Sequence, residues 1–118
     1  MNMIYRTYIL VVFLFIALPT ATAADAKAGK LIFDRVCVHC HAIGGDSKFA
    51  PNLKGIGERR DIVWLNKWLK SPKEVLKYDE YAQKLLENNA YSLTMPTFPS
   101  MKNDEKRANV IAYLLDFF

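Results

Sequence analysis

All of the cysteine and histidine in this chain, two residues of each, falls within five consecutive positions, Cys37-Val38-His39-Cys40-His41. That concentration limits what the chain can fold around. A disulfide between Cys37 and Cys40 would close too short a loop to stabilise a fold much, because the entropy removed from the unfolded chain grows with loop length. A zinc site needs four converging ligands, usually as two separated pairs, and the sequence holds no second cluster. A thioredoxin-like C-x-x-C needs strands alternating with helices, and no strand pattern is visible. The spacing C-x-x-C-H is instead an attachment signal for a covalent haem. Two thiols three positions apart reach the vinyl groups of neighbouring pyrroles and form thioethers. The following imidazole, His41, then lies beneath the iron as a ligand. His39 sits between the cysteines, and its ring is expected to point away.

An iron held by one histidine has a second axial position to fill. A thioether there favours the reduced metal and raises its potential. Four methionines occur, and two of them, Met1 and Met3, are at the extreme N-terminus. Met95 lies in Leu93-Thr94-Met95-Pro96-Thr97-Phe98-Pro99, where the following proline imposes extended backbone. Such a stiff, non-helical segment suits a sulfur presented to a flat cofactor. Met101 stands just before a helix cap and reads as packing. The expected ligand pair is therefore His41 and Met95.

The 118 residues suffice for one domain at most. Arg6 precedes an unbroken apolar run, Ile9 to Leu18, which Pro19 ends; Ala21-Thr22-Ala23 then matches the small-x-small pattern of a signal-peptidase site. The reading is a cleaved export signal over residues 1–23 and one domain over residues 24–118, in a periplasmic protein. The alternative is a retained anchor, although the run falls short of the roughly twenty residues a spanning helix needs. The chain carries 16 basic and 12 acidic side chains, a net charge of +4. Lys27, Lys30, Lys48, Lys54, Lys67, Lys70, Lys73 and Lys77 are scattered rather than clustered, so nucleic-acid binding has little support. A mild basic surface suits redox partners with acidic docking faces.

Helical patterns fill most of the remainder. Asp25 caps a helix to about Val36, with Gly29, Ile32, Phe33 and Val36 on one face. Cys37 to Glu58 reads as a glycine-containing loop. Asp61 caps Ile62 to Lys70, with Trp64, Leu65, Trp68 and Leu69 as its apolar stripe. Ser71-Pro72-Lys73-Glu74 reads as a capping box with proline at the first helical position. Asp79 caps Glu80 to about Asn88, with Tyr81, Leu85 and Leu86 on one side. Ala90 to Lys102 reads as loop. Asn103 caps a last helix to about Phe117, with Ala108, Ile111, Leu115 and Phe118 sharing a face. The expected fold is all-α, with four or five short helices.

The chain resembles the class I c-type cytochromes over nearly its whole length after residue 23. The resemblance rests on Gly29 and Phe33, then Cys37-Val38-His39-Cys40-His41, Ala50-Pro51-Asn52-Leu53 and Trp68-Leu69-Lys70-Ser71-Pro72. Met95-Pro96 and Asn109-Val110-Ile111-Ala112-Tyr113-Leu114 follow in order. It implies a small cytochrome c fold around one covalent haem c. It also implies that the first and last helices cross near Gly29, Phe33 and Tyr113. By the same resemblance Pro51 offers its carbonyl to the ring N–H of His41, and Trp68, Leu69 and Pro72 wall the haem. Arg59 or Arg60 would neutralise a propionate. Residues 73–89 match least well and are similar to an extra helix found in small bacterial periplasmic members. The implied activity is electron transfer by a monomer, with no substrate chemistry. The alternative is a haem-bearing subunit of a larger oxidoreductase, docked through an apolar patch around Tyr78–Tyr91.

Overall fold

The Asp25 carboxylate accepts hydrogen bonds from the amides of Lys27 (2.9 Å) and Ala28 (3.2 Å) and so begins the first helix, α1 (Ala26–Val36). The structure is a computed structural model and describes residues 22–117. Three further helices begin in the same way. Asp61 accepts from Trp64 N at 2.7 Å and starts α3 (Ile62–Lys70). Asp79 accepts from Ala82 N at 2.8 Å and starts α5 (Glu80–Glu87). Asn103 accepts from Lys106 N at 2.9 Å and starts α6 (Asp104–Leu115). All four caps are those expected from the sequence. The fourth helix in the chain, α4 (Pro72–Leu76), starts differently. The Ser71 side chain makes no cap bond, and Glu74 turns to Lys77 Nζ at 2.8 Å. The expected capping box is therefore not made, and Pro72 begins the helix through its fixed φ alone.

The fold is all-α, and no strand forms among the described residues. It has six α-helices there rather than four or five, plus 3-10 turns at Cys37–His39 and Pro99–Lys102. The unexpected helix is α2 (Ile56–Arg59), a single turn inside the glycine loop. Gly55 leads into it with φ of 68° and donates its amide to Phe117 O at 2.9 Å. Gly57 lies so near Leu115 that a β-carbon there would come within 2.7 Å of its Cδ2. Contact with the end of α6 thus shapes this turn.

The crossing of α1 and α6 organises the rest. Gly29 meets the backbone of Asn109, whose side-chain oxygen accepts the Asp25 amide at 2.7 Å. The rings of Phe33 and Tyr113 pack with centroids 5.4 Å apart, as the resemblance implied. The buried face of α6 differs from expectation. It runs Arg107, Val110, Ile111 and Leu114, whereas Ala108 and Leu115 are only half-buried. Phe118 lies outside the described residues. The helix is apolar on several sides, so periodicity leaves its rotation open, and the close approach at Gly29 sets it. Buried Arg107 then serves three partners. It donates to Met101 O at 2.8 Å, to Asp104 Oδ1 at 2.6 Å, and through Nε to Asn66 of α3. Met101 is only 2 % exposed and packs in the core with Phe33, Leu65, Leu69 and Val110.

No helix among the described residues is long and apolar enough to cross a membrane. The expected export signal, residues 1–23, lies outside the described residues except for Thr22 and Ala23.

Candidate functional site

Where α1 ends, the chain tightens. The amides of Cys40 (3.1 Å) and His41 (2.9 Å) both donate to Cys37 O. This turn brings Cys37, Cys40 and His41 to the wall of one cavity of about 510 Å³. No disulfide joins the two thiols. Cys37 is half-buried, and burial, with a smaller contribution from Cys40, pushes its thiol up to about 11. Cys40 is exposed.

His41 Nδ1 lies 2.8 Å from the carbonyl oxygen of Pro51. A carbonyl only accepts, so Nδ1 carries the proton and the lone pair resides on Nε2. Burial holds the imidazole below its ordinary titration range, and the Pro51 hydrogen bond only partly opposes this. The ring is thus neutral, oriented, and equipped to donate to a metal. His39 instead donates from Nε2 to Arg35 O at 3.2 Å on the exposed side.

The loop that carries Pro51 is held by Asn52. Its side chain receives the amides of Gly44 (2.9 Å) and Lys54 (3.0 Å) and donates to the carbonyls of Gly44 (3.1 Å) and Gly45 (3.2 Å). Arg59 donates to the carbonyls of Lys54 (2.7 Å) and Asn52 (2.9 Å) from the other side. In the sequence Asn52 stands out only as part of the resemblance, with no role of its own. Its position directly after Pro51, before a turn, was the available signal.

Most of the cavity lining is apolar. Trp64, Leu65, Trp68 and Leu69 of α3 supply one part, and Tyr81, Leu85 and Leu86 of α5 another. Both are the stripes read from periodicity. Met95 also lines the cavity, and Trp68 Nε1 donates to its Sδ at 3.0 Å. Met101 and Pro72 do not line it; Pro72 is buried elsewhere. Of the two arginines, Arg59 lines the cavity. Arg60 lies against aromatics, with its guanidinium carbon 3.4 Å from the Tyr81 ring centroid.

Size, apolar lining and donor set suit a large flat apolar group. Two free thiols and one imidazole lone pair are the groups by which a covalently attached haem is held, and a thioether lies in the same cavity wall.

Comparison with known proteins agrees. A family model described as cytochrome c matches residues 26–117. A cytochrome c2 of Rhodopila globiformis is 30 % identical over 112 residues, covering 80 % of this chain and 95 % of the relative. The fold is similar to a cytochrome c from Rhodothermus marinus, with TM-score 0.70 at 20 % identity, covering 77 % of this chain and 74 % of that one. It is also similar to the cytochrome c domain of a Pseudomonas putida protein. There the TM-score is 0.62 at 32 % identity, with 75 % and 85 % of the two chains covered.

Proposed function

The chain belongs to the cytochrome c family, and from that premise we propose a monohaem electron carrier with histidine and methionine as axial ligands. The family's prosthetic group is a covalently bound haem c, and electron transfer is its chemistry. In this reading the thiols of Cys37 and Cys40 form the two thioethers. His41 Nε2 and Met95 Sδ would hold the iron, with Pro51 fixing the histidine tautomer. Trp68 forms part of the apolar wall. When bound, the haem supplies a one-electron Fe(II)/Fe(III) couple. The apolar lining would exclude water, and an iron held by both His41 and Met95 would have no open site for substrate. This favours a carrier over an enzyme.

One observation carries the reading. Met95 and His41 line the same cavity, whereas Met101 is buried outside it. Met95→Ala is expected to abolish the ferric sulfur-to-iron charge-transfer band and lower the potential, and Met101→Ala to leave the band in place. The reverse result overturns the assignment.

The reading places the carrier in the periplasm, exported by residues 1–23, with redox proteins as partners. Mass spectrometry of the exported protein tests this directly, since it reports cleavage and haem mass together. Acidic partners are favoured by the net positive charge, and added salt is expected to slow their reaction.

A second reading, a haem-bearing subunit of a larger oxidoreductase, is supported by exposed apolar side chains beside the cavity. Phe49 and Leu93 line it yet are 50 % and 54 % exposed, and Tyr91, 58 % exposed, packs edge-on against Phe49. Gel filtration of native extract separates the two, because a haem peak of monomer size opposes the subunit.

A further inference from the structure

The segment from α4 to α5 is tied to the cavity through one carboxylate. Asp79 uses Oδ1 to cap α5, accepting from Ala82 N at 2.8 Å. A cap needs only that oxygen. The other oxygen, Oδ2, accepts the indole N–H of Trp64 at 3.0 Å. An indole nitrogen can only donate, so this half-buried N–H needs an acceptor, and a carboxylate makes the bond a strong one. Tyr81 braces Trp64 edge-on, with centroids 5.5 Å apart at 84°. The Arg60 guanidinium lies 5.6 Å from the centroid of the Trp64 ring.

Trp64 in turn lies nearly parallel to Trp68, with centroids 5.2 Å apart and planes inclined by 12°. Trp68 is the residue whose N–H reaches the Met95 sulfur at 3.0 Å. The line therefore runs from carboxylate to indole, by ring stacking to a second indole, and from its N–H to the thioether.

We propose that Asp79 is a positioning residue for the Met95 sulfur: it anchors Trp64, Trp64 holds Trp68 in the stack, and Trp68 keeps its N–H on the thioether. This rests on the reading of Met95 as an iron ligand. A thioether has two lone pairs. With one given to the metal, the other accepts the N–H, which withdraws density from sulfur and disfavours the more positive ferric state. Loss of the hydrogen bond lowers the potential. The segment from α4 to α5 thereby gains a role: it sets how firmly the donor on α3 is held.

The test is equilibrium redox titration of the holoprotein, with the ferric sulfur-to-iron band recorded for each variant. Trp64→Phe keeps an aromatic ring, removes the N–H and changes no charge. It is expected to lower the potential in the native background and to have no effect in Trp68→Phe. Asp79→Asn retains an N-cap side chain but replaces one carboxylate oxygen by a donor. It is also expected to lower the potential, although the lost negative charge pushes the other way. In Trp68→Phe only the charge effect remains, and the potential rises. The proposal is overturned if Trp64→Phe leaves the potential unmoved, or if its effect persists in Trp68→Phe. It is equally overturned if Asp79→Asn raises the potential alike in both backgrounds. Met95→Ala keeps the two failures apart. If it spares the band, the ligand reading fails. If it removes the band while Trp64→Phe changes nothing, only the positioning role fails.

Discussion

Gly29 of α1 lies directly against the backbone of Asn109 in α6, so closely that any β-carbon at position 29 would collide with the Asn109 carbonyl. The neighbour is main chain of a helix and cannot swing aside as a side chain would. Gly29→Ala should therefore destabilise the holoprotein despite the better helix propensity of alanine. Overpacking of this kind costs about 1–3 kcal/mol. For a domain of this size that is a fall in Tm of roughly 5–20 °C. Thermal unfolding followed by circular dichroism measures it, and an unchanged or higher Tm contradicts the crossing described.

Trp68→Phe removes the donor to Met95 Sδ while keeping an aromatic wall. A neutral hydrogen bond is worth about 1 kcal/mol net, and only the difference in its strength between the two oxidation states moves the potential, so the ceiling for one electron is roughly 40 mV. The potential is expected to fall within that range with the sulfur-to-iron band retained. A rise in potential would show that the indole does not act on the sulfur in this way.

Asp104 opens α6, and its carboxyl is held below the ordinary 3.8, first by the hydrogen bond from Arg107 and then by that guanidinium's charge. A folded-state value below the unfolded one contributes stability that is fully present above the unfolded value and lost as pH falls through the folded one. The carboxylate is exposed, so the contribution is screened. Asp104→Asn should lower Tm by a constant amount from pH 5 to 7, and the gap should close below the ordinary carboxyl range. A gap that widens with acid runs against the pairing.

Burial that raises the Cys37 thiol to about 11 leaves it protonated at neutral pH, while Cys40 is exposed. In protein prepared without haem, iodoacetamide at about pH 8 should alkylate Cys40 before Cys37. Peptide mass spectrometry over time reads the order, and faster labelling of Cys37 would contradict the placement of the two thiols.

Much of this architecture is legible in the linear chain because its signals are local. Asp25, Asp61, Asp79 and Asn103 each cap a helix within three residues of themselves. The stripes on α3 and α5 follow from the helical repeat, and both line the cavity. Cys37, Cys40 and His41 declare their chemistry through spacing along five residues. Where a local signal is weak, the pattern misleads. Ser71 has the sequence of a capping box yet makes no cap bond, and α2 hides among glycines.

Covalent order along the backbone thus specifies the attachment motif, the start of every described α-helix but α2, and the apolar faces of α3 and α5, since each depends on residues a turn or less apart. The rotation of α6 and the partners of Trp64 and Trp68 depend on groups far apart in the chain, whereas Met95 is already set apart from Met101 by the proline that follows it. Trp68 and Met95 are 27 positions apart, and Asp25 and Asn109 are 84. Such pairs form only when packing has brought their elements together, because close packing and hydrogen bonding act over a few ångströms of space and carry no mark in local sequence.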